Sequence, residues 1–237
     1  MTAPDARLGA GRPRPEPRRE DELTPVRLVM LGPPGAGKGT QAVRFARQRG
    51  LPWISTGAML REAAQAGAPL GRAAKSIMDA GRLVGDDVVI GIVRERLEQR
   101  DTARGFVLDG FPRSLPQAEA LDRMIDDRAP LVIVDIEVPE EILVARLQAR
   151  RVCRNCGWNA TPGVLACEKC GGPLVHRSDD NAEVVRERLR VYGSSTRPIV
   201  EYYHSRATFR CVDGDQTLDA VAADVAAAVE SAVGSRR

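Results

Sequence analysis

The chain is predicted to fold as a doubly wound α/β domain, on three observations. A short apolar run at 26–31 ends abruptly in Gly32, Pro33, Pro34 and Gly35, the pattern of a buried strand feeding a tight loop. Further apolar runs at 106–108, 131–138 and 209–212 alternate with helix-periodic stretches such as 115–126, which predicts a parallel sheet. Near the end of the chain Leu218, Val221, Ala222, Val225, Val229 and Val233 share one helical face, a stripe suited to cover that sheet.

Taken in order, residues 1–24 carry Pro4, Pro13, Pro15 and Pro17 among mixed charges and read as a solvated, disordered tail. Asp5, Glu16, Glu20, Asp21 and Glu22 oppose a transit peptide, which is usually poor in acids. After the loop, Ala42, Phe45 and Ala46 are spaced for a helix over 41–49, stopped by Gly50. Two stretches break the strand–helix rhythm. Residues 55–84 are rich in Ala and Gly and read as short helices inserted into the domain. Residues 151–180 lack apolar periodicity and hold four of the five cysteines.

Length and charge narrow the function classes. A chain of 237 residues, 43% hydrophobic, buries enough surface to fold without disulfides. The balance of 35 basic against 32 acidic residues gives a net charge of +3, no footprint for coating a polyanion. The most apolar stretch is interrupted by Asp135 and Glu137, so no membrane span is expected. A clustered, odd set of cysteines without an export signal points to metal and to a reducing cytoplasm.

The loop at 32–40 satisfies G-x-x-x-x-G-K, with the hydroxyl one place late at Thr40. Glycines at 32, 35, 37 and 39 let successive N–H groups turn inward at a helix N-terminus, a nest for phosphate, with Lys38 reaching the outer phosphates. The loop therefore predicts a nucleoside triphosphate site. Cys153, Cys156, Cys167 and Cys170 form two C-x2-C pairs, a thiolate set suited to structural tetrahedral zinc, with a gap of only ten residues between pairs. Glycines after each pair, Gly157 and Gly171-Gly172, are expected to turn backbone N–H groups toward the sulfurs. Cys211 is expected to be a small buried hydrophobe with no role.

Together with the glycine loop, Ile54-Ser-Thr-Gly57 and Leu108-Asp-Gly-Phe-Pro-Arg113 occur in order. Met78–Val84 lies between them, and Arg177-Ser-Asp-Asp180 and Arg188 follow. On these motifs the chain, from about Val26 to its end, resembles the adenylate kinase family. The resemblance implies a P-loop CORE with a parallel five-stranded sheet over 25–54, 85–148 and 181–237. It also implies an AMP-binding insertion at 55–84 and a zinc-ribbon LID at 149–180. Its activity would be reversible transfer between ATP and AMP giving two ADP, with Mg²⁺ accompanying ATP.

Such chemistry needs no general base, because the attacking phosphate is already an oxyanion. It needs arginine forks that neutralise and align two polyphosphates. By resemblance Lys38, Arg113, Arg150, Arg177 and Arg188 meet transferred or flanking phosphates, and Asp179 and Asp180 latch the closed LID. The ATP side would comprise Gly35, Ala36, Gly37, Lys38, Gly39, Thr40, Arg150 and Gln216. The AMP side would comprise Thr56, Arg61, Arg82, Leu83, Val84, Gly110, Phe111, Pro112, Arg113, Gln117, Arg177 and Arg188, with Gln117 suited to read an adenine edge. Asp109 would orient Mg²⁺ through water.

The pattern departs at Ala58, where the family usually has Asp, leaving Asp109 alone at the metal. It departs again at Asn159 and Ala160, where a hydroxyl and an aromatic are usual. The competing readings are a kinase for another nucleoside monophosphate, a GTP-preferring AMP kinase, and a zinc-ribbon nucleic-acid-binding protein. Against the last, the cysteine segment carries few cations beyond Arg154 and Lys169. A monomer is expected, from the lack of a heptad or apolar surface stripe, with no nucleic-acid or membrane partner.

Overall fold

A computed structural model describes residues 25–125 and 129–234; the tail expectation for 1–24 lies outside the described residues, as does Asp126. Five parallel strands form the sheet in the order β2-β3-β1-β4-β7: β1 (Val26–Leu31), β2 (Trp53–Ser55), β3 (Gly105–Asp109), β4 (Leu131–Glu137) and β7 (Phe209–Asp213). Central β1 pairs with β3 on one side and β4 on the other, and all six of its residues are buried. Buried on both faces, it is apolar at every position but Arg27, whose guanidinium donates to Ala129 O at 3.4 Å, which is why it reads as a run rather than an alternation.

Helices cover both faces. Val29 and Leu31 of β1 pack into one core with Phe111, Leu121, Ile199 and Tyr203, whereas Leu28 and Met30 pack into the other with Phe45, Val225 and Val229. The first core draws on α4 (Asp86–Leu97), α5 (Leu115–Met124) and α8 (Arg197–His204); the second on α1 (Lys38–Arg49), α6 (Glu140–Ala149) and α9 (Leu218–Gly234). In the terminal helix Val221, Val225 and Val229 are buried as the stripe predicts, but Leu218, its first residue, is 45% exposed. Cys211 is also exposed, on edge strand β7, and is not the buried hydrophobe expected.

Helix α1 begins at Lys38 rather than at 41. Gly37, at φ 89°, caps it from the left-handed region with no side-chain acceptor, so the glycine loop runs straight into the first turn. The segment 55–84 forms α2 (Thr56–Gln65), capped by Ser55, and α3 (Pro69–Asp79). In the cysteine segment β5 (Arg151–Cys153) pairs antiparallel with β6 (Leu174–His176), and its own core is only Cys153, Cys167 and Leu174 with Trp158, Ala160 and Val164 against them. Helix α7 (Ala182–Val191) then leads through the π turn Tyr192–Thr196 into α8. Among the described residues no helix is long and apolar enough to cross a membrane.

Close packing of α2 on α3 depends on Gly71, where a Cβ would lie 2.3 Å from the Ala63 and Ala64 backbone. Gly71→Ala should therefore cost about 1–3 kcal/mol in chemical denaturation. Gly91→Ala, in α4 with nothing within 4 Å of the added carbon, should instead stabilise by about 0.5–1 kcal/mol.

Candidate active site

The glycine loop lies at the carboxyl end of the central strand, where ligands of open α/β sheets bind. Gly32 has φ 130°, and a Cβ there would strike the Ile136 carbonyl oxygen at 2.5 Å, so the loop turns against β4 only without a side chain. Lys38 folds back over the loop and donates from Nζ to the carbonyls of Gly32 and Pro33, both at 2.7 Å. Burial lowers its pKa to about 7; Asp109 and Asp135 pull it up, and Arg113 and Arg188 push it down. At Gly39 an added Cβ would sit 3.1 Å from Asp109 Oδ2, so the glycine leaves room for the carboxylate beside the loop.

Arginines from four parts of the chain converge opposite this nest. Arg113, after β3, donates from Nε to Gly110 O at 2.9 Å, and its own carbonyl accepts from Thr196 Oγ1 at 3.0 Å. Arg150, at the end of α6, forks onto Asp180 with Nε–Oδ2 at 2.8 Å and Nη2–Oδ1 at 2.5 Å. Arg177 forks onto Asp179 at 2.8 and 2.6 Å. Arg188 of α7 donates to Asp180 Oδ1 at 2.9 Å and to the Asp179 carbonyl at 3.1 Å. Burial drops Arg61 and Arg188 to about 10, and neighbouring guanidinium groups add to the fall. Both stay protonated at neutral pH. Burial pushes the Asp179 carboxyl up, but Arg177, Arg188 and Arg150 outweigh it and hold it below the usual carboxylate range.

Two cavities share Arg113, Gly110 and Leu83. The larger, about 550 Å³, is lined by Lys38, Arg113, Arg188, Pro112 and Tyr192 among others. The smaller, about 350 Å³, is lined by Thr56, Arg82, Leu83, Val84, Gly110, Arg113 and Gln117, all expected on the AMP side, together with Gly57, Leu60, Met78 and Val89. Thr56 Oγ1 donates to Gly110 O at 2.8 Å, and Gly110 takes φ 80°, where a Cβ would lie 2.9 Å from Arg113 Nη2 and 3.2 Å from Thr56 Oγ1.

Three expected residues behave differently. The Phe111 ring is fully buried in the core, so only its backbone is left for a ligand. Gln216 is exposed and donates to Asp213 O and Asp224 Oδ2; no hydrogen bond among the described residues joins it to the arginine cluster. Gln117 is buried with both ends of its amide engaged: Nε2 donates to Asp86 Oδ1 at 2.7 Å and Oε1 accepts from Arg113 N at 2.8 Å. Asp86, which sequence reasoning missed, also accepts from Ser114 Oγ at 2.9 Å and so holds this corner. Asp135 was missed as well, having been read only as an interruption of an apolar strand. It is buried beneath the loop, and burial and Glu137 raise it to about 6 against the opposing charge of Lys38.

The four expected cysteines form one cluster, every Sγ within 4.8 Å of the others. The Cys153–Cys170, Cys156–Cys170 and Cys156–Cys167 separations of 3.4, 3.4 and 3.6 Å approach the ~3.8 Å edge of a tetrahedral zinc–thiolate site. The set can hold a zinc ion. Backbone N–H groups do face the sulfurs, but they come from Asn155 and Cys156 to Cys153, Lys169 to Cys167 and Gly172 to Cys170. Gly157 and Gly171 instead donate to the Cys153 and Cys167 carbonyls at 2.9 and 2.8 Å, closing each knuckle at a positive φ.

A parallel sheet opening into a glycine nest, faced by clustered arginines and free of histidine, places the chain among the P-loop phosphotransferases. The family model for adenylate kinase matches residues 30–208. The chain is 48% identical to the adenylate kinase of Archaeoglobus fulgidus over 213 residues, covering 86% of this chain and 98% of that one. It is 50% identical to that of Moorella thermoacetica over 206 residues, covering 83% and 94%. The chain belongs to the adenylate kinase family.

With so small an apolar core, the cysteine segment should depend on its metal. Chelation of zinc-loaded protein should open 151–180 to protease and melt that segment before the sheet; unchanged cleavage would contradict this.

Proposed function

We propose that the chain catalyses reversible transfer of the ATP γ-phosphoryl group to AMP, giving two ADP. The observation that carries this reading is the gathering of Lys38, Arg113 and Arg188 on the larger cavity, with Arg150 and Arg177 tied to Arg188 through Asp180 and Asp179 and no histidine beside them. His176 lies in β6 of the cysteine segment and His204 packs on Phe209, outside that cleft. An oxygen of the AMP phosphate attacks Pγ while the bond from Pγ to the β,γ-bridging oxygen breaks; its electron pair leaves on the β-phosphate of ADP. No proton need move, so the protein's task is alignment and charge neutralisation.

In this reading the donor's phosphates occupy the glycine nest and Lys38, and the AMP phosphate meets Arg61 and Arg113. Residues 55–84 form the AMP-binding insertion and 149–180 the LID. Closure brings Arg150 and Arg177 onto the transferring group, Asp179 and Asp180 holding both forks in register until phosphate oxygens compete for them. Zinc bound by the four cysteines would stiffen the LID and take no part in the chemistry. Mg²⁺ suits the single carboxylate of Asp109 beside Gly39, since this ion keeps most of its waters and leans on substrate phosphate. When bound it would spread the charge of the β- and γ-phosphates. The satisfied amide of Gln117 gives AMP recognition a condition: adenine must either displace Asp86 or bind against the cavity wall beside it.

The test is a coupled assay of ADP formation with ATP and each nucleoside monophosphate. AMP alone should support fast turnover, and preference for another monophosphate would overturn the assignment. The pH dependence is also fixed by Lys38. Because its ammonium must be charged to attract triphosphate, kcat/KM for ATP should fall as pH rises through about 7. Bound phosphate raises the lysine pKa, so the limb in kcat should lie at higher pH; a kcat/KM flat from about pH 6 to 9 would contradict this role.

A further inference from the structure

One contact between the cysteine segment and the sheet domain belongs to none of the groups assigned so far. Arg47, exposed near the end of α1, places Cζ 4.9 Å from the centroid of the Trp158 ring. Trp158 directly follows the first cysteine knuckle and packs on the small core of that segment. On the ribbon side the Glu168 carboxyl accepts from Thr161 N at 2.9 Å and from Thr161 Oγ1 at 2.8 Å and lies near the Trp158 side chain. The next residue, Asn159, reaches the phosphate loop, its Nδ2 lying 3.9 Å from where a Cβ on Gly39 would be, with Asp109 Oδ2 at 3.1 Å from the same point.

The geometry points to Arg47 and Trp158 as positioning residues for ATP: a cation–π fastener between α1 and the zinc ribbon that seats Asn159 over the Gly39–Asp109 side of the phosphate loop. A guanidinium over an indole face is attractive without needing a fixed hydrogen-bond geometry, and it pairs the two groups only when the ribbon is down on the loop. The fastener therefore favours the closed arrangement and does not touch reacting atoms. It also explains how a ribbon with Ala160 in place of a larger side chain can be held over the donor site: the large ring stands two residues earlier and grips the sheet domain. This role rests on the reading of 149–180 as a LID over bound ATP.

The test uses zinc-loaded full-length protein in a Trp53→Phe background, which leaves Trp158 as the only tryptophan. Arg47→Ala should raise KM for ATP about two- to fivefold, the range of an exposed cation–π contact, with kcat unchanged or higher because opening becomes easier. Arg47→Lys should keep most of the effect of the native residue. Trp158→Phe should be milder than Trp158→Leu, and Trp158→Leu should add nothing once Arg47 is Ala. In the absence of nucleotide, Arg47→Ala should make Trp158 emission more open to acrylamide quenching. That readout does not depend on phosphoryl transfer, so it separates failure of the fastener from failure of the kinase reading, which wild-type turnover decides. If the Trp158 variants lose zinc, the two Arg47 variants carry the test. Unchanged KM and quenching in Arg47→Ala, or full additivity of Arg47→Ala with Trp158→Leu, would overturn the proposal.

Discussion

The cost of crowding like charges governs this structure. Two unit charges about 4 Å apart repel by ~4 kcal/mol at the effective dielectric of a protein near its surface, and burial adds desolvation to that cost. Lys38, Arg61, Arg113 and Arg188 each bear both penalties, as their lowered pKa values record. Left alone such a set would splay into water. It stays together because Asp179 and Asp180 accept forked hydrogen bonds from Arg177 and Arg150, with Arg188 bridging both acids. In the proposed reaction the two aspartates would hold positions that phosphate oxygens take on binding, so that the charge pattern is ready-made rather than assembled around the substrate.

The rest of the fold serves that cluster. The parallel sheet brings the carboxyl ends of β1, β3 and β4 to one edge, pairing Asp109 with Met30 and Asp135 with Leu31, just before Gly32. Helices α6 and α7 then deliver Arg150 and Arg188 from opposite ends of the cysteine segment. In the proposed LID role that segment would move as one piece, yet its core is three buried side chains. A metal held by the four thiolates would supply the stiffness that so few apolar contacts do not, and the Arg47–Trp158 contact would give the stiffened piece something to close against.

Much of this was legible in the sequence because it rests on short-range rules. Continuous apolar runs gave the buried strands, glycine spacing gave the nest, and paired cysteines gave the metal cluster. The arginines were individually unreadable, since an isolated Arg is usually a solvated ion pair, and became readable only as an ordered set. What escaped depended on partners distant in the chain. Nothing local shows that the Gln117 amide meets Asp86 or that Phe111 turns inward; Gln216, by contrast, is held by nearby Asp213 and Asp224. Asp135 looked like a flaw in a strand until the fold put it beneath the phosphate loop, and Trp158 had no meaning until α1 lay beside the ribbon. Helix α1 began earlier than its apolar pattern because its first turn faces the loop and not the core.

The most direct measurement is a crystal structure of zinc-loaded protein bound to a dinucleoside polyphosphate in which five phosphates join two adenosines. One continuous phosphate chain is expected to run from the glycine nest past Lys38 to Arg61, with Arg113, Arg150, Arg177 and Arg188 each donating to it. A chain that bypassed these arginines, leaving them paired with Asp179 and Asp180 while the phosphates lay elsewhere, would contradict it.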